Sequence, residues 1–219
     1  MNNPTFEKEY FEKYYTDYER QNSAKKLDFY RRLVEGAAGG KTDPSILEIG
    51  CAFGKFLPLL GAGWHKYGMD VSEFAIGQAR IRAPEAKFAV SAMPHIPFKE
   101  TFDVIAAFDV LEHVPCLEEV IASVKARLAP SGHFIFVVPV YDSVTGPLIH
   151  LLDRDITHIH KKSRRFWLDW AGAHFEISDW WGIYRYLFPF GYHLHKPTKI
   201  FRHFTPAIAV VARAKPEPR

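Results

Sequence analysis

The chain has 219 residues, of which 47% are hydrophobic and 24% charged, and its formal net charge is +3. This size and composition predict one globular domain with a sizeable core, and the charge is too small to indicate nucleic-acid binding by itself. The two cysteines, Cys51 and Cys116, lie far apart and do not form the paired pattern of a zinc site.

No apolar run reaches the roughly 20 residues that span a membrane, and the charged, aromatic N-terminus lacks the apolar region of a signal peptide. We therefore expect a soluble, cytoplasmic protein.

The first forty residues favour helices. Residues 5–20 and 23–36 have helical periodicity, and in the second segment Leu27, Tyr30 and Leu33 recur at helical spacing. The glycine-rich segment GAAGGKTDP then ends the helical pattern.

Strands and helices alternate from residue 45 to residue 140. The apolar runs predict strands and the amphipathic runs predict helices. The predicted strands are 45–49, 64–70, 86–90, 102–108 and 133–140, and the predicted helices are 54–62, 72–83 and 117–129. All-apolar strands that alternate with helices are typical of a doubly wound, mostly parallel sheet with helices on both faces.

The pattern changes after Val140. Residues 141–160 are irregular and contain several histidines, 163–175 predict a helix with an aromatic face, and 175–186 predict a strand. The aromatic and basic stretch 188–204 is interrupted by proline and glycine, and 205–214 predict a last apolar strand. With these additions the predicted sheet has seven strands.

The stretch ILEIGCAFG follows the first strand with small residues at every second position, in the order Glu48, Gly50, Ala52 and Gly54. A glycine-rich turn lets a ligand approach the backbone, because no Cβ stands in the way. The spacing differs from the G-x-G-x-x-G of dinucleotide-binding enzymes, which counts against a nicotinamide-dependent oxidoreductase. Asp70, at the end of the second strand, is placed to accept both ribose hydroxyls. These residues predict an adenosine-type ligand.

Four segments, in this order and spacing, resemble the motifs of class I S-adenosylmethionine-dependent methyltransferases. They are ILEIGCAFG, GMDVS, FDVIAAFDVLEHV and LAPSGHFIFVVPV, and a weaker similarity continues through DITHIHKKS. The resemblance implies a Rossmann-like fold and S-adenosylmethionine as cofactor. It also implies one domain over 1–219, with a helical cap (1–40), a cofactor-binding core (41–140), a substrate lid (141–204) and a last strand and tail (205–219).

The resemblance assigns cofactor roles to residues at four strand ends. The glycine loop would lie under the methionine part, Asp70 would hold the ribose, Val71 would contact the adenine, and Phe108 would offer backbone contacts. Ala52 stands where the family usually has a glycine, and Ser91 replaces an acidic residue that often accepts the adenine amine. The full predicted set is Glu48, Gly50, Cys51, Ala52, Gly54, Asp70, Val71, Ser91, Ala92, Met93, Phe108, Asp109 and Tyr14. Tyr14 belongs to the N-terminal tyrosines Tyr10, Tyr14 and Tyr15, any of which could reach the cofactor carboxylate.

Three histidines are candidates for a general base. His113 follows the fourth strand, and His158 and His160 follow the fifth, where strand alternation would place them on one side. Asp109, Glu112 and His113 could share a helical face, and some quinone-precursor O-methyltransferases bind a divalent metal with a similar set. Helix-start packing explains the set more simply, so no metal site is predicted.

The resulting prediction is a methyltransferase that acts on an oxygen or nitrogen of a small molecule. The alternatives are an enzyme that modifies RNA or protein, and a non-catalytic binding module with this fold. Residues 180–203 could form a lid over a flat or hydrophobic substrate, or could contact a partner or a membrane surface. We predict neither a nucleic-acid partner nor a membrane span, and leave the oligomeric state open.

Overall fold

The computed structural model describes residues 18–142, 157–188 and 192–215. Its helices are α1 (Tyr18–Gln21), α2 (Ala24–Ala38), α3 (Glu73–Arg82), α4 (Leu117–Arg127) and α5 (Arg164–His174), with short 3-10 turns at Leu57–Leu59, Leu111–His113 and Arg202–Phe204. Its strands are β1 (Ser45–Ile49), β2 (His65–Asp70), β3 (Lys87–Val90), β4 (Phe102–Phe108), β5 (Leu128–Pro139), β6 (Phe175–Phe188), β7 (Tyr192–Thr198) and β8 (Ala207–Ala214).

The strands form one sheet in the order β3-β2-β1-β4-β5-β8-β6-β7. Pairing is parallel from β3 to β5, and β8 is antiparallel to both β5 and β6. The strand order reverses between β1 and β4, and the carboxyl ends of these strands form the crevice where open α/β sheets bind ligands. The predicted doubly wound, mostly parallel fold is confirmed.

Each central strand contributes to two hydrophobic clusters, one on each face of the sheet. Ile46 and Val104 pack with α2 on one face, whereas Leu47 and Ile105 pack with α4 and α5 on the other. Successive strand residues point to opposite faces, so a strand that is covered on both sides must be apolar throughout. The continuous apolar runs of the sequence follow from this arrangement.

The β6–β7 hairpin extends past the carboxyl edge of the sheet. The last residue of β4, Phe108, pairs with Val137 of β5, which pairs with Ala209 of β8, which pairs with Trp181 of β6. β6 continues beyond this row to residue 188, still paired with β7. Because β6 is parallel to β5, the continuation overhangs the crevice at the ends of β1 and β4.

Two predicted elements differ from the structure. Residues 54–62 were expected to form a helix, but they contain only the 3-10 turn Leu57–Leu59. Pro58 lacks an N–H donor and glycines follow at 61 and 63, so no α-helix propagates there. β5 begins at Leu128 and not at 133, and its pairing with β4 shifts register around the segment PSG, which forms an irregularity within the strand.

The sheet has eight strands and not seven, because Tyr192–Thr198 form β7 within the stretch that the sequence indicated to be broken. Pro197 is tolerated because β7 is an edge strand, where one side of the backbone needs no partner. The described parts of the predicted lid region also contain α5 and β6, which pack on or within the sheet. Among the described residues, no helix has the length and apolar character needed to cross a membrane.

Candidate active site

The loop after β1 combines left-handed backbone conformations with close packing. Gly50, Ala52 and Gly54 have φ of 71°, 44° and 65°. A Cβ on Gly50 would lie 2.3 Å from a methyl carbon of Val110, and one on Gly54 would lie 2.9 Å from the Cβ of Ala79. Both glycines of this turn at the end of β1 are therefore required by conformation and by space.

Asp70 holds this loop in place. One carboxylate oxygen accepts the N–H of Ala52 at 2.9 Å, and the other accepts the N–H of Ser72 at 3.0 Å, at the start of α3. The N–H groups of Gly50 and Cys51 donate to the carbonyl of Met69 at 2.8 and 3.1 Å. The predicted ribose-binding carboxylate thus also fixes the conformation of the glycine loop.

Glu48 lies beneath the loop and is 5% exposed. Burial, together with the charge of Asp70, raises its carboxyl pKa well above the usual value. One of its oxygens is buried and has no hydrogen-bond partner among the residues described. An orphaned acceptor beside a glycine turn fits a ligand that brings donors, such as the amino-acid part of S-adenosylmethionine.

The other predicted cofactor residues lie around the same crevice. Cys51 is buried, and burial raises the pKa of its thiol well above the usual value, so it is not a reactive thiolate. The backbone N–H of Ser91 donates to the carbonyl of Asp70 at 2.9 Å, and its hydroxyl donates to the carbonyl of His95 at 2.7 Å. Val71 and Met93 are half-buried and Ala92 is exposed, at the ends of β2 and β3.

An N-terminal tyrosine reaches the loop, but at a position that was not predicted. The ring of Tyr18 lies 4.6 Å from that of Phe53, and burial raises its hydroxyl pKa, with a further contribution from the charge of Glu48. Tyr10, Tyr14 and Tyr15 lie outside the described residues. The signal was present in the sequence, since Tyr18 follows Tyr14 by one helical turn.

Asp109 lies at the end of β4 in a left-handed conformation, with φ of 58°. Its carboxylate accepts a hydrogen bond from Arg185 of β6 and another from Lys26 of α2, the latter at 3.3 Å. Burial would raise the pKa of Asp109, but the two cations outweigh it and hold that pKa below the usual range. Three elements therefore meet at this carboxylate.

The aromatic side chains of Tyr30 and His195 complete this charged cluster. Tyr30 stacks on Phe108 with 4.2 Å between ring centroids, and the ring of His195 on β7 lies 5.7 Å from that of Tyr30. Burial, with the charges of Lys26 and Arg185, lowers the pKa of His195 to about 4, so its ring is neutral at pH 7.

The predicted histidines separate into two environments. Nδ1 of His113 lies 3.1 Å from the carbonyl oxygen and 2.9 Å from the hydroxyl oxygen of Thr157, so Thr157 fixes the orientation of the ring. The ring of His158 is 4.7 Å from that of His113, and its Nδ1 lies 3.3 Å from the Tyr141 hydroxyl.

His160 does not join that pair. Its Nε2 donates to the carbonyl of Val114 at 2.8 Å, and its ring packs against Trp167. The expectation that alternation places His158 and His160 together is not met, because residues 157–163 form no strand.

Glu112, His113 and His158 offer ligand atoms that all lie within 4.8 Å of one another, so they could hold a divalent cation. Asp109 belongs instead to the charged cluster with Lys26 and Arg185. The i, i+3, i+4 set that the sequence suggested is thus divided between two clusters.

Comparisons with known proteins agree with this geometry. Residues 18–181 match the family described as "Methyltransferase domain". The chain is 25% identical over 111 residues to a ubiquinone biosynthesis O-methyltransferase of Acinetobacter baylyi, covering 47% of each protein. It is 29% identical over 107 residues to a sterol 24-C-methyltransferase of Gibberella zeae, covering 44% of this chain and 28% of that protein. The chain therefore spans about half, or less, of the length of these curated relatives.

A solved structure has the same fold. A SAM-dependent methyltransferase of Thermotoga maritima superposes with a TM-score of 0.66 and 18% identity, covering 94% of this chain and 98% of that one. The glycine loop, the orphaned oxygen of Glu48 and the position of Asp70 fit the cofactor that this family uses, S-adenosylmethionine. The family match over residues 18–181, together with these features, identifies the chain as a member of the class I S-adenosylmethionine-dependent methyltransferase family.

Proposed function

We propose that the protein transfers a methyl group from S-adenosylmethionine to an oxygen or nitrogen of a small-molecule acceptor. The observation that carries this proposal is the glycine loop at the reversal point between β1 and β4, tied by hydrogen bonds to the carboxylate of Asp70. The bound cofactor would supply a methyl group already activated on a sulfonium. The protein's task is then to align the acceptor with that methyl group and to remove its proton.

The glycine loop, Glu48 and Asp70 would hold the cofactor, which would supply the methyl group and leave as S-adenosylhomocysteine. A hydroxyl or ammonium acceptor must lose a proton in this reaction. His113, which follows β4, is the first candidate for the base, and Thr157 fixes the orientation of its ring through contacts to Nδ1. His158 lies beside it and is the second candidate.

Two considerations favour a small acceptor. The relatives are named for a quinone precursor pathway and for a sterol, both small-molecule chemistries. The net charge of +3 does not provide the strong positive field of a typical nucleic-acid-modifying enzyme. The alternative of RNA modification predicts binding of RNA that falls steeply as salt concentration rises.

The test is calorimetric titration with S-adenosylhomocysteine. We expect a dissociation constant in the micromolar range for the wild type. Asp70→Asn should weaken this affinity about tenfold or more, because it removes a carboxylate that would accept hydrogen bonds from the ribose and from the glycine loop. Asp103→Asn is the matched control, because Asp103 bonds Ser45 and Lys41 at the opposite edge of the sheet. Absence of binding to the wild type would refute the proposal and favour the non-catalytic binding module.

A further inference from the structure

The cluster around Asp109 contains more hydrogen-bond donors than its own carboxylate can satisfy. Arg185 has five N–H donors and Lys26 has three. In the described part of the chain the side chain of each makes one hydrogen bond, in both cases to Asp109. Asp109 therefore leaves most of this donor capacity unused.

Two neutral side chains add to the unused capacity. The hydroxyl of Tyr30, on a side chain that is 1% exposed, has no hydrogen-bond partner among the described residues. The same holds for both ring nitrogens of His195, whose ring packs edge-on against that of Tyr30. Buried polar groups are nearly always paired in proteins, so this arrangement indicates that the cluster binds a hydrogen-bond acceptor.

The charges of the cluster favour an anion. Two cations contact one carboxylate, which leaves one positive charge of this contact set uncompensated. Glu112 offsets part of this positive charge, because its carboxylate acts on both cations, but the ion pairs that the described residues make with Lys26 and Arg185 are to Asp109. His195 is neutral at pH 7 and does not change the net charge of the cluster.

The three charged side chains of the cluster are partly open to a ligand. The side chains of Lys26, Asp109 and Arg185 retain 17%, 22% and 28% of their exposure. In the sheet, β5 and β8 separate β4 from β6, the strand that carries Arg185. The cofactor loop follows β1, which lies on the other side of β4. An anion bound here would therefore lie on the far side of Asp109 from the glycine loop.

We propose that Arg185 and Lys26, with Tyr30 and His195, bind an oxyanion group of the methyl acceptor, so that the substrates are small molecules carrying a carboxylate or a phosphate. This inference rests on the proposed function and specifies its substrate class. The stacked rings of Tyr30 and Phe108 would contact the apolar body of the same molecule.

The test uses calorimetric titration of the purified protein, with and without saturating S-adenosylhomocysteine, by benzoate, phenyl phosphate and the neutral analogue benzamide. We expect at least one of the two anions to bind about tenfold or more tightly than benzamide, and the pair distinguishes a carboxylate from a phosphate. Arg185→Met should weaken the anion about tenfold. Tyr30→Phe, which keeps the ring stack, should weaken it about fivefold and keeps the test valid if the arginine variant fails to fold.

Arg213→Met is the matched control, because it removes one positive charge from an exposed pair with Glu176. The proposal would be overturned if Arg185→Met and Arg213→Met weakened anion binding equally. It would also be overturned if benzamide bound as tightly as the anions, or if no probe bound. The proposal would also be overturned if Arg185→Met lost affinity for S-adenosylhomocysteine but kept its affinity for 5′-methylthioadenosine, because Arg185 would then bind the cofactor's carboxylate. Titration of the wild type with S-adenosylhomocysteine tests the proposed function separately.

Discussion

Asp109 holds three elements together through one carboxylate. Its pKa is lowered in the folded protein, so its ionised form stabilises the fold at any pH above the unfolded value of about 4. That contribution is lost as the pH falls below about 4 towards the lower folded pKa. Residues with φ near 58° are strained unless they are glycine, asparagine or aspartate, so asparagine is the substitution that preserves the backbone.

We expect Asp109→Asn to destabilise the protein by about 2 kcal/mol at pH 7. This loss lies between the loss measured when an exposed ion pair is broken and the loss measured when a fully buried one is broken. The two cations would then lose their carboxylate partner. Urea unfolding at several pH values measures this, and the difference from wild type should shrink below pH 4. A difference that stays constant from pH 7 to pH 3 would contradict the ionic role of Asp109.

The histidine pair can act as a base or as metal ligands, and one variant separates these roles. If His113 is the base, His113→Gln should lower turnover by about a hundredfold or more and leave S-adenosylhomocysteine affinity unchanged. Treatment with EDTA should then leave the activity of the wild type intact. Loss of activity on EDTA treatment, restored by a divalent cation, would instead assign Glu112, His113 and His158 to a metal site.

Helix α5 shows how an element from the predicted lid region contributes to the core. Trp167 is 0% exposed and packs against Phe136 of β5 and Trp170 of its own helix. The aromatic face that the sequence indicated for this helix is therefore directed at the sheet. A segment that opened as a lid would bury no such side chain against a central strand.

We expect Trp167→Ala to cost about 3–5 kcal/mol in the free energy of unfolding, since it removes a large buried side chain. Urea denaturation measures the loss. Arg165→Ala on the exposed side of the same helix, where Arg165 pairs with Asp169, should change stability by less than about 0.5 kcal/mol. Similar small effects of both variants would mean that α5 packs only loosely on the sheet.

The whole molecule should become more stable when the cofactor site is filled. Ligand at a hundred times its dissociation constant adds about 2.7 kcal/mol, which corresponds to a rise in Tm of roughly 5–10 °C for a chain of this length. Thermal unfolding with S-adenosylhomocysteine measures the shift. NAD is the control and should give none, because the loop has the wrong glycine spacing for a dinucleotide. A larger shift with NAD would reinstate the oxidoreductase alternative.

The sequence by itself determined the fold class, and it predicted the glycine loop and Asp70 as the cofactor end of the site. Continuous apolar strands specify a sheet covered on both faces, and Gly50, Gly54 and Asp70 are recognisable because their roles depend on local backbone geometry. The tertiary structure alone brought the cluster around Asp109 together. Lys26 and Arg185 meet Asp109 across 83 and 76 residues of chain, and no local pattern encodes such a meeting. It depends on the order of strands in the sheet, which carries the β6–β7 hairpin over the crevice between β1 and β4.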